Sequence, residues 1–175
     1  MKYVLSLLVL LFLGCKEQPS KPGANALTKS NTERLDGLTI VDYDGLKPYL
    51  HIDDEKLHVV NFWATWCAPC VKELPYFEAL SQTYGSDSID VLLVSLDFPN
   101  KYETNLLPFI EKNKLKSAVI ALDDTDQNRW IPAINENWSG AIPATLIYKG
   151  EKRKFYEQSF TEEELNKEIE QFLNK

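Results

Sequence analysis

The sequence has few of the residues that several protein classes need. It contains three cysteines and two histidines among 175 residues, so a four-ligand zinc site has few possible donors. Acidic residues outnumber basic ones, 26 to 19, and no basic stripe occurs, which excludes a nucleic-acid-binding surface. There is no internal repeat and no apolar run long enough to anchor the chain across a bilayer. The composition, with 44% hydrophobic and 26% charged residues, is typical of one globular domain.

The first residues differ in character from the rest. A basic start is followed by a short apolar run that ends at Gly14, directly before Cys15. This pattern predicts an export signal over residues 1–14. It also resembles a bacterial lipobox, in which Cys15 would become the lipid-bearing first residue, although Phe12 stands where leucine is usual. A simple secretory signal or an uncleaved anchor are the alternatives.

The next segment is polar and lacks an apolar period. We therefore predict that residues 15–37 form a lipidated cysteine and a flexible tether, and that residues 38–175 form the folded domain. As a random coil, such a tether has a root-mean-square span of ~25 Å. Three cysteines are an odd number for an exported protein. Lipidation of Cys15 would leave two thiols, Cys67 and Cys70, which can pair with each other.

Hydrophobic periodicity predicts an alternation of strands and helices. Apolar runs indicate a parallel core sheet whose strands are joined through helices, and a late hairpin adds antiparallel strands. The predicted fold class is therefore a three-layer α/β domain. Predicted strands lie at 38–44, 57–63, 89–98, 117–124, 141–148 and 152–160, and predicted helices at 71–85, 101–115 and 161–175, with 125–138 ambiguous.

Two cysteines stand where a buried strand gives way to a helix. At this junction unpaired backbone N–H groups and the helix dipole favour the thiolate of Cys67. Cys70 follows one turn later and could attack a mixed disulfide formed on Cys67. Pro69 suits a first helical turn, because its missing N–H has no partner there in any case. The spacing favours reversible thiol–disulfide exchange.

Two other uses of the cysteine pair remain open from the residues alone. A zinc site would have to recruit Cys15, His51 or His58, none of which forms a second closely spaced ligand pair. A static disulfide across so short a loop would add little stability.

The stretch NFWATWCAPCVKELP resembles the thioredoxin superfamily, and within it the exported or membrane-tethered reductases of the TlpA and ResA type. The matching motif residues are Trp66, Cys67, Pro69, Cys70 and Pro75. The resemblance implies a thioredoxin-like α/β/α sandwich with a mixed sheet. It also implies a central strand–helix insertion around residues 117–137, and no cofactor or metal.

The same resemblance assigns residues further along the chain. Pro143 is expected to follow a cis peptide bond beside the attacking sulfur, and the backbone of Ile142 to pair with an extended substrate. Trp138 is expected to line the substrate groove or, alternatively, to pack inside the domain. Without the resemblance, Pro143 is a proline that starts a strand.

Two polar residues near the cysteines distinguish this sequence from cytoplasmic thioredoxins. Asn61 stands where cytoplasmic thioredoxins carry a buried aspartate, and it can orient neighbours through hydrogen bonds but cannot shuttle a proton. Glu73 stands three residues after Cys70, where the TlpA-type group has a glutamate that tunes the thiols or assists proton transfer. The alternative is an ordinary solvated helix glutamate.

The resemblance implies an exported protein-disulfide reductase. The Ala-Pro pair between the cysteines supplies no charge to stabilise a thiolate, which favours a reducing or intermediate potential. The implied partners are disulfide-bearing exported proteins, such as apocytochrome c, and a membrane-embedded thiol donor. We expect a monomer, lipid-anchored in the cell envelope and facing the periplasm or exterior. A thiol peroxidase of the same fold and a non-enzymatic metal or haem chaperone are the alternatives.

Overall fold

A mixed β-sheet runs through the middle of the molecule, with helices on both faces. The computed structural model describes residues 32–173, and within them the sheet has seven strands. The strands are β1 (Thr32–Leu35), β2 (Leu38–Val41), β3 (Leu57–Trp63), β4 (Ile89–Ser95), β5 (Ala118–Leu122), β6 (Ala144–Lys149) and β7 (Lys152–Tyr156). Their order across the sheet is β1-β2-β5-β4-β3-β6-β7.

The helices differ widely in length. They are α1 (Tyr43–Leu46), α2 (Ala68–Tyr84), α3 (Leu107–Asn113), α4 (Gln127–Ile134) and α5 (Glu162–Leu173), with 3₁₀ segments at Lys47–Leu50 and Pro99–Lys101 and a π-helical turn at Tyr102–Leu106. Across residues 32–173, no helix combines the length and the hydrophobicity of a membrane span.

The strand pairing confirms the predicted sheet. Strands β2, β5, β4 and β3 are parallel neighbours, whereas β6 pairs antiparallel with both β3 and β7. The unit expected as an insertion around residues 117–137 is β5 with α4, and β5 lies between β2 and β4.

Strand β3 is central because both of its faces are apolar. Every residue of β3 is buried, and it pairs with β4 on one side and β6 on the other. Val59 and Trp63 belong to the core cluster shared with α2 and α5, and Val60 and Phe62 to a second cluster shared with α1 and α4. Helices on both faces confirm the three-layer α/β class.

The predicted tether is wrong at its carboxyl-terminal end. Residues 32–35 form β1, which pairs antiparallel with β2. The two strands are joined through Asp36 and Gly37, both with positive φ, +44° and +87°, as a tight hairpin turn requires. The folded part therefore includes Thr32–Leu35, which the prediction had assigned to the tether. Cys15, the signal over residues 1–14 and the first part of the tether lie outside the described residues.

Three prolines lie in segments for which a helix was considered, and a helix forms at each of them. Pro75 lies within a continuous α2, which ends at Gly85, where φ is +87°. The helix expected over residues 101–115 forms in two parts, because Pro108 occupies the first turn of α3 after the π-helical turn. Pro132 lies inside α4, which resolves the ambiguous segment as a helix.

The last helix has the predicted cap and buried stripe. The N–H of Glu164 donates to Thr161 Oγ1 over 3.3 Å, and the Glu164 carboxylate accepts from the N–H of Thr161 over 2.9 Å. Leu165, Ile169 and Phe172 are buried against the sheet. The reciprocal bonds fix where the chain turns into α5.

Candidate active site

The two cysteines lie at the carboxyl end of β3, where α2 begins. Cys67 is the N-cap residue of α2, and the N–H of Cys70 donates to its Sγ over 3.3 Å. The two sulfurs form a disulfide. Cys67 retains 6% of its surface exposed, whereas Cys70 is fully buried. The outer sulfur is therefore the one a substrate can reach, and Pro69 occupies the first turn as predicted.

A loop before β6 lies beside the outer sulfur. The Ile142–Pro143 peptide bond is cis, as the resemblance implied. The carbonyl oxygen of Ile142 is 3.7 Å from Cys67 Sγ. The residues that the sequence placed together, Cys67, Ile142 and Pro143, are thus adjacent in the structure.

Glu157, which the sequence did not single out, holds this loop in place. Its carboxylate accepts hydrogen bonds from the N–H and hydroxyl of Ser139 and from the N–H of Ala141. The bonds from Ser139 keep the pKa of Glu157 below its usual value. The residue just follows β7, so only the pairing of β6 with β7 brings it to the loop.

Behind the cysteines, Glu73 is buried rather than solvated. It retains 1% of its surface, and its carboxylate accepts from the N–H of Phe160 over 2.7 Å. Burial raises the pKa of Glu73 to about 7, although the bonds from Phe160 and Asn61 oppose the shift. The alternative of an ordinary solvated glutamate is therefore wrong.

Asn61 connects this carboxylate to the sheet. Its side-chain amide donates to Thr145 Oγ1 over 3.1 Å and to Glu73 Oε1 over 3.4 Å. Its side-chain oxygen has no partner among the described residues. Asn61 therefore has the hydrogen-bonding role that the sequence predicted.

The loop that carries Trp66 is anchored by a buried aspartate. Asp97 accepts from the N–H of Thr65 over 3.0 Å, from its hydroxyl over 2.5 Å and from Ser95 Oγ over 2.9 Å. Trp66 itself is 58% exposed and stacks on Phe98, which is 63% exposed. Neither Asp97 nor Phe98 lies in the motif around the cysteines, so no local pattern marks them as site residues.

Trp138 packs inside the domain. The prediction that it lines the substrate groove is therefore wrong. Trp138 is 4% exposed, and its ring packs 4.9 Å from Phe62 and 5.5 Å from Trp130 in the core under α4. Its indole N–H donates to the carbonyl of Ala141 over 2.9 Å. The large apolar ring is stabilised by its burial between sheet and helix. Through its bond to Ala141, Trp138 thus supports the loop before Pro143 from inside the domain.

Within the part of the chain that the structure describes, Cys67 and Cys70 form no metal site with a histidine. His58 is the second residue of β3, whereas the cysteines follow its last residue, so the two lie at opposite ends of the strand. His58 pairs instead with Asp54 over 2.8 Å. Among residues 32–173, the one cluster with metal-ligand spacing is Asp54, His58 and Asp90, which contains no cysteine.

Comparison with known proteins agrees with this geometry. A model of the AhpC/TSA family matches residues 46–153. Over 113 residues the chain is 28% identical to the thiol-disulfide oxidoreductase ResA of Geobacillus thermodenitrificans, covering 63% of this chain and 60% of that protein. Over 62 residues it is 34% identical to the sporulation thiol-disulfide oxidoreductase A of Bacillus subtilis, covering 35% and 38%. Both matches span less than two thirds of the relative.

Solved structures show the same fold. A thiol:disulfide interchange protein of the thioredoxin family from Chlorobium tepidum aligns with a TM-score of 0.58 and 19% identity, over 83% of this chain and 94% of that one. StoA from Bacillus subtilis aligns with a TM-score of 0.50 and 26% identity, over 66% and 83%. The thioredoxin-like α/β fold expected from the sequence is confirmed.

Proposed function

Since the chain belongs to the AhpC/TSA family, we propose that it is a thiol-disulfide oxidoreductase that cycles Cys67 and Cys70 between dithiol and disulfide. One observation carries the proposal. The more accessible sulfur caps the start of α2 beside Ile142, and the second sulfur is buried directly behind it. The relatives named as thiol-disulfide oxidoreductases support the same activity.

The reaction moves two electrons from the dithiol to a substrate disulfide. The Cys67 thiolate attacks one substrate sulfur, forming a mixed disulfide and releasing the other substrate sulfur as a thiolate. Cys70 then loses its proton and attacks Cys67 Sγ, which releases the second substrate thiolate and closes the Cys67–Cys70 disulfide. The N–H of Cys70 and the helix N-terminus stabilise the attacking thiolate.

Glu73 and Asn61 act on this cycle from behind the sulfurs. A carboxyl group with a pKa of about 7 can accept or return a proton at neutral pH, and Glu73 lies one helical turn beyond Cys70. We assign Glu73 to the deprotonation of Cys70 and Asn61 to the orientation of Glu73, through its hydrogen bond.

The proposed direction is reduction of the substrate. Ala68 and Pro69 add no positive charge beside Cys67, so its thiolate lacks the extra stabilisation that characterises strong oxidants. We expect a potential below about −150 mV in a glutathione titration of the purified protein. A higher value would reverse the assigned direction.

We further propose that the domain works outside the cytoplasm on a lipid anchor. The support is the signal-like run over residues 1–14, the cysteine at position 15 and the polar segment after it. A membrane-embedded thiol donor would regenerate the dithiol, and disulfide-bearing exported proteins, apocytochrome c among them, would be its substrates. Replacing Cys15→Ser should abolish incorporation of labelled fatty acid and release the protein from the membrane fraction.

Trapping of substrates tests the activity directly. The Cys70→Ser variant should accumulate mixed disulfides on Cys67 when it is mixed with an envelope extract, because the resolving thiol is missing. The matched Cys67→Ser variant should trap far less, since Cys70 is buried. Bound metal or haem without disulfide turnover, or sustained peroxide consumption, would contradict the proposal.

A further inference from the structure

A groove crosses the carboxyl ends of three parallel strands, beginning at Trp66, the residue before the reactive Cys67. It has a volume of about 380 Å³, and Trp66, Phe98, Trp130 and Ile142 are among the residues that line it. Ile142 is also the residue whose carbonyl lies beside Cys67 Sγ. We call this cleft the aromatic groove. A chain that leaves this groove past Ile142 therefore reaches Cys67 Sγ.

The wall of the groove exposes an aromatic pair. Trp66 and Phe98 stack with their ring centres 6.3 Å apart, and both are more than half exposed. Within residues 32–173 only one other large hydrophobic residue, Tyr49, is exposed. Two of the three exposed large hydrophobic residues of this range are therefore stacked together, one of them directly before Cys67 in the chain, where an apolar side chain of a partner can cover them.

The far end of the groove is acidic. Asp123 and Asp124 follow β5 and line the groove, and among the described lining residues none is basic. Asp123 is exposed, and no side chain of residues 32–173 forms an ion pair with it. Asp97 also lines the groove, but it is buried and its carboxylate accepts from Thr65 and Ser95. The groove thus complements a positively charged ligand group.

The strand order gives the spacing of these features. Cys67 follows β3, Phe98 follows β4 and Asp123 follows β5, and the three strands are parallel neighbours. Adjacent strands lie ~4.8 Å apart, so the acidic end is about 10 Å from the end of β3. An extended chain advances ~3.3 Å per residue and covers that distance in about three residues.

Building on the proposed oxidoreductase activity, we propose that the aromatic groove selects its protein substrates by sequence around the cysteine. The preferred segment is extended. It carries a bulky apolar side chain one or two positions from its cysteine, packed on Trp66 and Phe98. It carries lysine or arginine about three positions from the cysteine, next to Asp123.

Rates of reduction of short peptides test this preference. Each peptide has one cysteine in mixed disulfide with 2-mercaptoethanol, and reduction releases the peptide thiol and 2-mercaptoethanol while the Cys67–Cys70 disulfide forms. The reference peptide carries Phe and Lys at the stated spacing, and its partners replace Phe by Ala or Lys by Glu. Each peptide is made in two forms, with the two varied positions either before or after the cysteine. On the preferred side we expect Phe to exceed Ala by about fivefold. We expect Lys to exceed Glu by about tenfold at low salt and by less at high salt.

Variants of the protein assign each preference to its residue. Phe98→Ala should bring the Phe/Ala rate ratio close to one, and Asp123→Asn should do the same for the Lys/Glu ratio. The control is Asp87→Asn, an exposed acid before β4 at the opposite end of the sheet, which should keep both ratios. Equal rates for all peptides, with hydroxyethyl disulfide still reduced, would overturn the groove proposal alone. Failure to reduce any disulfide would overturn the proposed function.

Discussion

At the scale of single residues, the least ordinary group is the Glu73 carboxyl. Burial raises its pKa from 4.5 to about 7, so the folded protein keeps this group protonated at pH values where the unfolded chain has already ionised it. Its contribution to stability is fully present below pH 4.5 and is lost as the pH rises through about 7. The free energy of unfolding should therefore fall over this window.

We predict that Glu73→Gln removes this pH dependence. Between pH 5 and pH 8 the oxidised wild type should lose about 2 kcal/mol more of its unfolding free energy than the variant, because glutamine cannot ionise. Urea unfolding of the oxidised proteins at the two pH values measures the difference. Glu55→Gln, an exposed loop position, serves as control and should behave as the wild type. Parallel pH profiles for the Glu73→Gln variant and the wild type would contradict the buried carboxyl.

A second prediction concerns Glu157, which positions the loop before Pro143. Glu157→Ala removes the acceptor for three hydrogen bonds from Ser139 and Ala141, so Ile142 should no longer be held for substrate pairing. We expect KM for a protein disulfide to rise about tenfold with a smaller change in kcat. Steady-state kinetics measure the changes in KM and kcat separately.

The conservative change separates positioning by Glu157 from general destabilisation. Glu157→Gln retains an acceptor oxygen and should recover part of the KM loss. Glu151→Ala, an exposed position in the turn between β6 and β7, should leave KM unchanged. A kcat that falls with KM constant would refute the positioning role.

At the scale of elements, the residues that cap α5 are connected to the active site. Thr161 caps this helix, and the preceding residue, Phe160, donates its N–H to Glu73. We predict that Thr161→Ala lowers the free energy of unfolding by about 1 kcal/mol, because the N–H of Glu164 loses its acceptor. Denaturant unfolding checks this. Thr161→Ser keeps the hydroxyl and should lie near the wild type, so equal loss in both variants would argue against the cap.

Elements with a strong apolar period were predictable from the sequence. Strand β3 matches its predicted bounds, 57–63, because a strand buried on both faces is mostly apolar, here at five of its seven positions. Strand β1 was not predicted, because an exposed edge strand has no apolar alternation and takes its partner from β2. The Asp36–Gly37 pair was the available signal, since this dipeptide is typical of tight hairpins.

The active site was predictable only where it is local. Cys67, Cys70 and the cis bond before Pro143 follow short motifs, and the structure brings them together. Phe98 and Glu157 reach the site through long-range strand pairing, which composition and period do not encode. Trp138 was assigned to the groove as well as to the core, because sequence alone cannot tell which face of a loop a tryptophan occupies.

At the scale of the whole molecule, the redox potential and the stability of the fold are linked. If the folded protein holds the disulfide more favourably than the unfolded chain does, oxidation stabilises the fold and the potential becomes more reducing. Strong oxidants show the opposite, because their reduced form is the stabilised one. Here the disulfide closes between the N-cap of α2 and a fully buried sulfur, and no charged residue lies between the cysteines.

We therefore predict that the oxidised protein is the more stable form. Its thermal midpoint should exceed that of the reduced protein by about 5 °C, as a difference of one to two kcal/mol implies for a domain of this size. Circular dichroism melts with and without a phosphine reductant measure the shift, and the double variant Cys67→Ser, Cys70→Ser controls for effects of the reductant itself. A reduced form that melts higher would mean that the fold stabilises the dithiol. The protein would then draw electrons from its substrates, and the reductive direction proposed for it would have to be reversed.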